Sequence, residues 1–194
     1  LILIVRSLRK SPSTTTLPSI CCLIEATSCS ESSLTLVETF TPADSHIFLD
    51  VKLIKNPEKG PCSAIKEGIS FGGSESVIVY PADDFINYNI IDSMYKTFEK
   101  GSDIVVASRF MKGGSMVGCP LLKSILVRLA STTLYFFSSI PVKDASNGFR
   151  LFSKRLLNSV KIKSKSGFAY SLELLVKAER MKMKINTQRM PSNL

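Results

Sequence analysis

The sequence has 194 residues, 44% of them hydrophobic, which suits one folded α/β domain with a buried core and is too apolar for a disordered chain. The formal net charge of +9 favours anionic partners such as phosphorylated substrates, nucleic acids or anionic membrane surfaces. The five cysteines show no metal-ligand spacing and are typical of reduced thiols in the cytosol. No uncharged apolar stretch reaches the roughly 18 residues of a membrane-spanning helix.

Apolar runs and helix signals predict an alternation of helices and strands. Helices are expected at residues 1–10, 30–40, 61–69 and 89–100, and strands at residues 20–24, 51–54, 77–80 and 103–107. Such an alternation is typical of a mostly parallel sheet with helices on both faces. After Ala107 the pattern loosens into a glycine-rich loop, a long apolar helix from Leu121 to Val142 and a polar loop at residues 143–148.

Two adjacent carboxylates, Asp83 and Asp84, follow the clearest predicted strand. In open α/β sheets ligands bind beyond the carboxyl ends of the strands, and carboxylate oxygens suit Mg²⁺ or Mn²⁺ shared with substrate phosphates. An Asx turn or the cap of the following helix would explain the same residues. The sequence therefore leaves a metal site and a structural turn open here.

The segment from Asn56 through Gly60 to Ala64 leads into a predicted helix whose first turn holds Pro61. A helix N-terminus beside a glycine can face a phosphate or let a nucleotide base approach closely. An ordinary strand-to-helix turn has the same composition, so the segment alone does not predict a binding site.

Charged residues in the second half of the chain are further candidates. Arg109 follows a predicted strand and can hold a phosphate through its planar guanidinium, or belong to a solvated basic loop. Asp144 and Arg150 share a polar loop, where the carboxylate can act as a general base or form a salt-bridged turn. Glu173 lies in an apolar helical run, where an acidic group needs a partner. It can support a neighbouring site residue, act as a catalytic base or be a charge on the helix surface.

Five motifs occur in an order that resembles family 2 glycosyltransferases. They are Asn56-Pro-x-x-Gly60-Pro-x-x-Ala64, Tyr80-Pro-Ala-Asp83-Asp84, Ala107-Ser-Arg109-Phe-x-x-Gly-Gly114, Asp144-Ala-Ser-Asn-Gly-Phe-Arg150 and Gly167-Phe-x-Tyr-Ser-Leu-Glu173. The series is most similar to the dolichol-phosphate mannose synthase-like and polyprenyl-phosphate sugar transferase group. The resemblance covers roughly residues 20–185.

The resemblance implies a GT-A fold in one domain over residues 1–194, with a nucleotide-binding half to about residue 107 and an acceptor half beyond it. It implies an inverting, metal-dependent hexosyltransferase that uses a nucleoside-diphosphate sugar and a lipid-phosphate acceptor, a polyprenyl or dolichyl phosphate. On this model Asp83 and Asp84 hold Mg²⁺ or Mn²⁺ on the donor diphosphate. The expected catalytic residues are Arg109, Asp144 and Glu173, and the expected donor-binding residues are Glu25, Asn56, Gly60, Ala64, Lys123 and Arg150.

Departures from the family pattern set the alternatives. The chain is expected to lack the first strand with its Pro-x-Tyr-Asn-Glu motif, and only Glu25 remains of the paired acids that usually end the second strand. A nucleotide-sugar-binding protein without turnover is therefore the alternative to a transferase. A nucleic-acid partner is not expected, because no nucleic-acid module is recognisable. The basic-apolar segment from Leu121 to Val142 can lie at an anionic membrane face or belong to the core. The resemblance implies a cytoplasmic protein at the membrane surface, because the lipid-phosphate acceptors of this group lie in membranes.

Overall fold

The structure is a computed structural model. The part of the chain that it describes contains seven strands and five α-helices. The described residues are 2–9, 20–25, 48–54, 58, 60–71, 74–81, 84, 87–111, 121–137, 140–145, 147–165, 167 and 169–190. The strands are β1 Ile2–Arg9, β2 Ile20–Glu25, β3 Phe48–Ile54, β4 Ser76–Pro81, β5 Ile104–Ser108, β6 Arg150–Ser153 and β7 Ile185–Arg189. The helices are α1 Pro61–Phe71, α2 Ile91–Glu99, α3 Leu121–Phe137, α4 Lys154–Ser159 and α5 Ala169–Arg180.

All seven strands form one sheet in the order β3-β1-β2-β4-β6-β5-β7. The pairings β2–β4 and β5–β7 are parallel, whereas β1 is antiparallel to β2 and β3 and β6 is antiparallel to β4 and β5. The predicted α/β class is confirmed. The sheet is mixed rather than mostly parallel, because β1 and β6 run against their neighbours.

The expected helix at residues 1–10 is wrong, because this segment forms strand β1 (Ile2–Arg9). Ile2, Ile4 and Val5 are β-branched and favour extended backbone, and the strand gains backbone partners on both sides. The four predicted strands, at residues 20–24, 51–54, 77–80 and 103–107, are confirmed with small changes in their ends. The helix predicted at residues 30–40 lies outside the described residues.

The predicted helix at residues 61–69 is confirmed as α1, and the one at residues 89–100 begins with a 3₁₀ turn over Asn87–Ile90 that leads into α2. Two glycines explain where these helices begin and end. Gly60 precedes α1 with φ of 105°, and Gly101 follows α2 with φ of 86°. Such angles are readily adopted only by glycine.

The central strands are covered on both faces. On one face α1, α4 and α5 pack on alternate strand residues, including Val77, Val79 and Phe152. On the other face α2 packs on the intervening residues, including Ile78 and Leu151. This burial on both faces explains why β4 and β5 appear in the sequence as continuous apolar runs.

The strand directions bring several chain segments to one edge of the sheet. The carboxyl ends of β2 and β4 lie side by side, with Glu25 paired to Pro81. The carboxyl end of β5 and the amino end of β6 meet there as well, since Val106 pairs with Arg150. This edge is called the site edge below.

A buried carboxylate, Asp103, joins three elements at the opposite edge. It accepts hydrogen bonds from Ser153 Oγ at 2.9 Å, from the Arg155 guanidinium at 2.9 and 2.5 Å, and from the backbone N–H of Lys184 at 3.2 Å. Burial raises the pKa of Asp103, but the hydrogen bonds from Arg155 and Ser153 outweigh it and lower the pKa overall. This carboxylate fastens β5, α4 and the start of β7 together.

Candidate functional site

Asp84 lies just beyond the carboxyl end of β4, and its carboxylate is held by Asn87. The Asn87 amide nitrogen donates to both carboxylate oxygens at 2.9 Å, and the Asn87 backbone N–H donates to Oδ1 at 3.0 Å. The Tyr80 hydroxyl donates to the Asp84 carbonyl. Asp84 therefore caps the 3₁₀ turn, as one reading of the sequence predicted, and its carboxylate is held at the site edge.

The Asp84 carboxylate fits a hard divalent cation by its chemistry. Carboxylate oxygens are ligands that Mg²⁺ and Mn²⁺ prefer in proteins, and three hydrogen bonds from Asn87 hold this carboxylate in place. Mg²⁺ is usually held by one or two carboxylates together with substrate phosphates. Among the described residues no group of three His, Cys, Asp or Glu side chains comes together. Asp83, the other predicted ligand, lies outside the described residues.

Arg109 and Asp144 form a bidentate ion pair at the end of β5. Arg109 Nε donates to Oδ2 at 2.9 Å, Nη2 donates to Oδ1 at 2.8 Å, and the Arg109 backbone N–H donates to Oδ2 at 3.0 Å. Asp144 is fully buried, while 24% of the Arg109 side chain is exposed. The structure thus brings these two predicted residues together and gives Asp144 the salt-bridged position that was one of its two predicted alternatives.

Asn147, which the sequence did not single out, fixes the polar loop against β5. Its amide nitrogen donates to the Ala107 carbonyl at 2.6 Å and approaches Met190 Sδ at 3.2 Å. Its amide oxygen accepts from the Phe149 N–H at 3.2 Å. The preference of asparagine for turns is a weak signal for this role, because it does not identify the partner strand.

Arg150, expected to bind the donor, is fully buried and bonded to the protein itself. Its guanidinium donates to the carbonyls of Asn147 at 2.8 Å, Ser171 at 2.6 Å and Ala145 at 2.6 Å. Burial lowers the pKa of Arg150 to about 10, which leaves the group charged at neutral pH. In the structure this arginine ties the Asp144 loop to the start of α5, which differs from the expected contact with donor.

Glu173, expected as a base candidate, binds the segment that precedes α5. Its carboxylate accepts from the Lys163 N–H at 2.8 Å, from the Ser164 N–H at 2.7 Å and hydroxyl at 2.5 Å, and from the Lys177 ammonium. Burial raises the pKa of Glu173, but these hydrogen bonds outweigh it and lower the pKa to about 2. A group with so low a pKa is a weak base at neutral pH. Its contacts hold the segment at residues 163–164 against α5.

The segment held by Glu173 also contacts α1. The Cys62 thiol donates to the Ser164 carbonyl at 3.1 Å, and the Lys66 ammonium donates to the same oxygen. Burial raises the pKa of the Cys62 thiol, which therefore stays protonated at neutral pH. Ser164 thus connects the helix of the predicted nucleotide-binding half with the helix that carries Glu173.

The remaining predicted donor-binding residues are only partly described. Gly60 is exposed at the start of α1, and Ala64 is 6% exposed and packs in the core. The backbone of Glu25 lies at the site edge beside Pro81. Asn56 and the side chain of Lys123 lie outside the described residues. None of the described helices has the length and apolar character needed to cross a membrane.

Comparison with known proteins gives a family and several related enzymes, two of which are described here. Residues 5–161, more than half of the chain, match the family described as "Glycosyl transferase family 2". Dolichol-phosphate mannosyltransferase of Pyrococcus furiosus is 27% identical over 138 residues, 69% of this chain and 38% of that protein. Polyprenol monophosphomannose synthase of Mycolicibacterium smegmatis is 18% identical over 165 residues, 77% of this chain and 62% of that protein. The chain spans less than two thirds of both relatives.

Solved structures share the fold. Glucosyl-3-phosphoglycerate synthase from Mycobacterium tuberculosis in complex with UDP has a TM-score of 0.53 at 14% identity, over 71% of this chain and 47% of that chain. The same enzyme in complex with Mn²⁺, UDP-glucose and phosphoglyceric acid has a TM-score of 0.53 at 15% identity, over 69% of this chain and 46% of that chain. The predicted GT-A fold is therefore confirmed.

Proposed function

The chain belongs to glycosyl transferase family 2, and from this premise we propose that it transfers a hexose from a nucleoside-diphosphate sugar to a polyprenyl or dolichyl phosphate, with inversion at the anomeric carbon. The names of the two related enzymes support a lipid-phosphate acceptor. Because the chain spans only part of each relative, the activity of the whole protein belongs to the proposal. Its place of action is the cytoplasmic membrane surface.

One observation carries this proposal: a carboxylate and a guanidinium both follow strands that end at the site edge. Asp84 follows β4 and Arg109 follows β5, and the two strands are joined through β6, which pairs with both. A carboxylate suits the metal on a diphosphate, and a guanidinium suits phosphate oxygens. A nucleoside-diphosphate sugar and a lipid phosphate present partners for both kinds of group.

In this proposal Asp83 and Asp84 hold Mg²⁺ or Mn²⁺ at the end of β4. The ion, when bound, neutralises negative charge on the departing nucleoside diphosphate. The contribution of Asn87 is to keep the Asp84 carboxylate in place through its side chain and backbone donors. Such outer contacts preserve the orientation of a metal ligand.

Arg109 supplies positive charge for a phosphate group, and Asp144 fixes its orientation by the bidentate pair. A phosphate acceptor is already an anion at neutral pH and needs little help from a base. Neither Asp144 nor Glu173 then has to remove a proton, which agrees with the contacts that engage both carboxylates. A position beside the donor remains part of the proposal for Glu25, Asn56, Gly60 and Lys123, whereas Ala64 packs in the core.

Asp144 and Glu173 are both bound by other groups of the protein, and this also favours a second candidate, a protein that binds nucleotide sugars without turnover. A hydroxyl acceptor would need a base, and the low pKa of Glu173 argues against that role for it. The two candidates differ in one measurable respect. A transferase forms a glycosylated lipid, whereas a binding protein retains the intact donor.

Transfer of labelled hexose from UDP- and GDP-sugars to polyprenyl phosphate, with Mn²⁺ present, tests the proposal. We expect a labelled lipid product with the natural sequence and a loss of at least about 100-fold in the Asp83→Ala/Asp84→Ala variant, since the metal ligands are gone. Glu75→Ala removes an exposed carboxylate at the opposite end of β4 and serves as the control. Tight donor binding without any product would support the second candidate instead.

A further inference from the structure

Three exposed lysines stand at alternate positions in the segment that precedes α5. Lys161, Lys163 and Lys165 are exposed, whereas Ile162, between the first two, packs against the core. Alternate residues of a chain lie no more than about 7 Å apart, so the three side chains leave the backbone within about 14 Å of one another. We call Lys161, Lys163 and Lys165 the lysine row.

The backbone of this segment is fastened to α5, which holds the lysine row in place. The Glu173 carboxylate accepts hydrogen bonds from the N–H groups of Lys163 and Ser164 at 2.8 and 2.7 Å. One turn further along α5, the Lys177 ammonium donates to the Lys161 carbonyl at 2.6 Å. The segment therefore runs antiparallel beside α5. These contacts use its backbone atoms and none of the ammonium groups of the lysine row.

A shallow groove lies along α5, next to the lysine row. Its volume is about 390 Å³, and the described residues that line it are Ala169, Leu172, Glu173, Val176, Lys177 and Arg180. Three of them are apolar, and the two basic ones add positive charge. Glu173 and Lys177 line the groove and also hold the segment of the lysine row. The groove and the lysine row are therefore adjacent parts of one surface.

The charge of this surface is positive. Residues 154–165 include five basic residues and no acidic one, and one of the five, Arg155, is paired with Asp103. Glu173, the carboxylate among the described lining residues of the groove, is bound by the Lys177 ammonium and by backbone N–H groups. A carboxylate of a partner that approaches the groove therefore meets a positive potential.

We propose that the groove on α5 and the lysine row together bind a segment of another protein that carries both apolar and acidic residues. Apolar side chains of the partner occupy the groove, and its carboxylates face the lysine row and Arg180. This surface suits a nucleic acid less well, because bases stack on aromatic side chains and neither the lysine row nor the described lining of the groove contains one. The surface uses none of the residues proposed to hold the metal or the phosphates, so the inference does not rest on the proposed function.

Fluorescence anisotropy with a labelled short peptide, in which glutamate and leucine alternate, tests the contribution of charge. The row variant removes the three lysines of the lysine row, and its control removes three exposed lysines elsewhere. The two variants are Lys161→Gln/Lys163→Gln/Lys165→Gln and Lys96→Gln/Lys100→Gln/Lys184→Gln. We expect the natural sequence to bind the peptide less tightly as salt is added, because the pairs are exposed. The row variant should bind about tenfold or more weakly, and the control should change by no more than about twofold.

Two substitutions of Ala169, an exposed residue that lines the groove, test the apolar contribution. Ala169→Gln fills part of the groove and should weaken binding of the peptide by about fivefold or more. Ala169→Ser keeps the side chain small and should bind as the natural sequence does. A peptide with serine in place of leucine should bind the natural sequence more weakly to a similar extent. Circular dichroism checks that each variant is folded.

Several results would overturn this proposal. They are the absence of peptide binding, equal losses in the row variant and its control, and equal binding of a peptide with glutamine in place of glutamate. Equal affinities of Ala169→Gln and Ala169→Ser would remove the groove from the binding surface. Tighter binding of an oligonucleotide or of phosphatidylglycerol vesicles, lost in the row variant, would assign the lysine row to nucleic acid or lipid. Self-association that the row variant loses in sedimentation velocity would assign the surface to a second copy.

Discussion

Removal of Arg109 should destabilise the protein more than removal of its partner Asp144. Asp144 is fully buried, and Arg109 supplies three hydrogen bonds to it, at 2.9, 2.8 and 3.0 Å. Arg109→Ala keeps the backbone bond but withdraws the guanidinium from a buried carboxylate, which costs about 3–5 kcal/mol. Asp144→Ala leaves a cation that is partly exposed and can be hydrated, so we expect a cost of about 1–3 kcal/mol.

The double variant gives the sharpest form of this prediction. Arg109→Ala/Asp144→Ala should be more stable than Arg109→Ala alone, because the buried carboxylate is gone together with its partner. The measurement is the free energy of unfolding from urea titrations. The values can be compared if the dependence of this free energy on urea concentration is the same in all variants. Phe110→Leu serves as the control for the contact of Arg109 with the Phe110 ring, which contributes about 0.5–1 kcal/mol. Strictly additive losses in the double variant would refute the reasoning.

Three further predictions concern single residues. Because the pKa of Glu173 is lowered from 4.5 to about 2, its stabilising contacts are fully present above pH 4.5 and are lost as the pH falls towards 2. In thermal unfolding, Glu173→Gln should therefore lose less stability than the natural sequence between pH 4.5 and 2. An equal loss of stability in both proteins would contradict the anchoring role. Asn87→Ala should weaken Mn²⁺-dependent donor binding by about 10-fold or more at unchanged stability, with the exposed Asn158→Ala as control and equal affinities as the opposing result. Arg150→Met should lower the free energy of unfolding by about 3 kcal/mol, because three buried carbonyls lose their donor, and a loss below about 1 kcal/mol would contradict this.

The pattern of apolar residues predicted the central strands correctly, but it predicted a helix at the N-terminus, where strand β1 forms. Strands β4 and β5 are short apolar runs bounded by polar residues, and both are covered on two faces. The apolar run at Ile2–Val5 followed by basic residues fits a helix end or a strand equally well, and its pairing with β2 and β3 decided the outcome. Periodicity alone cannot distinguish the two for so short a run.

Strands β6 and β7 were not predicted, for a related reason. β6 has only four residues and contains a buried arginine, Arg150. β7 is a mostly polar segment that is stabilised by its parallel pairing with β5. Sequence patterns underestimate such strands because partners distant in the chain stabilise them. The direction of β6, antiparallel to β4 and β5, also could not follow from local composition.

The candidate site was predicted as a set of residues, but their contacts depend on the tertiary fold. Asp84, Arg109 and Asp144 lie at the site edge, and the pairing of the last two joins residues 35 positions apart. Arg150 and Glu173 have the charges of ligand-binding residues, yet their contacts are with the protein itself. Charge and motif position cannot distinguish a group that faces a ligand from one that holds a loop, because only burial and partners do so.

The central claim is that the site edge binds a nucleoside diphosphate through a divalent ion held at Asp83 and Asp84. Its most direct test is a calorimetric titration of UDP- and GDP-sugars, with Mn²⁺ present and then chelated, on the natural sequence, on Asp83→Ala/Asp84→Ala and on the Glu75→Ala control. We predict binding that requires Mn²⁺, is abolished in the double variant and is unchanged in the control. Binding that survives both chelation and the double substitution, or no binding by the folded natural sequence, would contradict the claim.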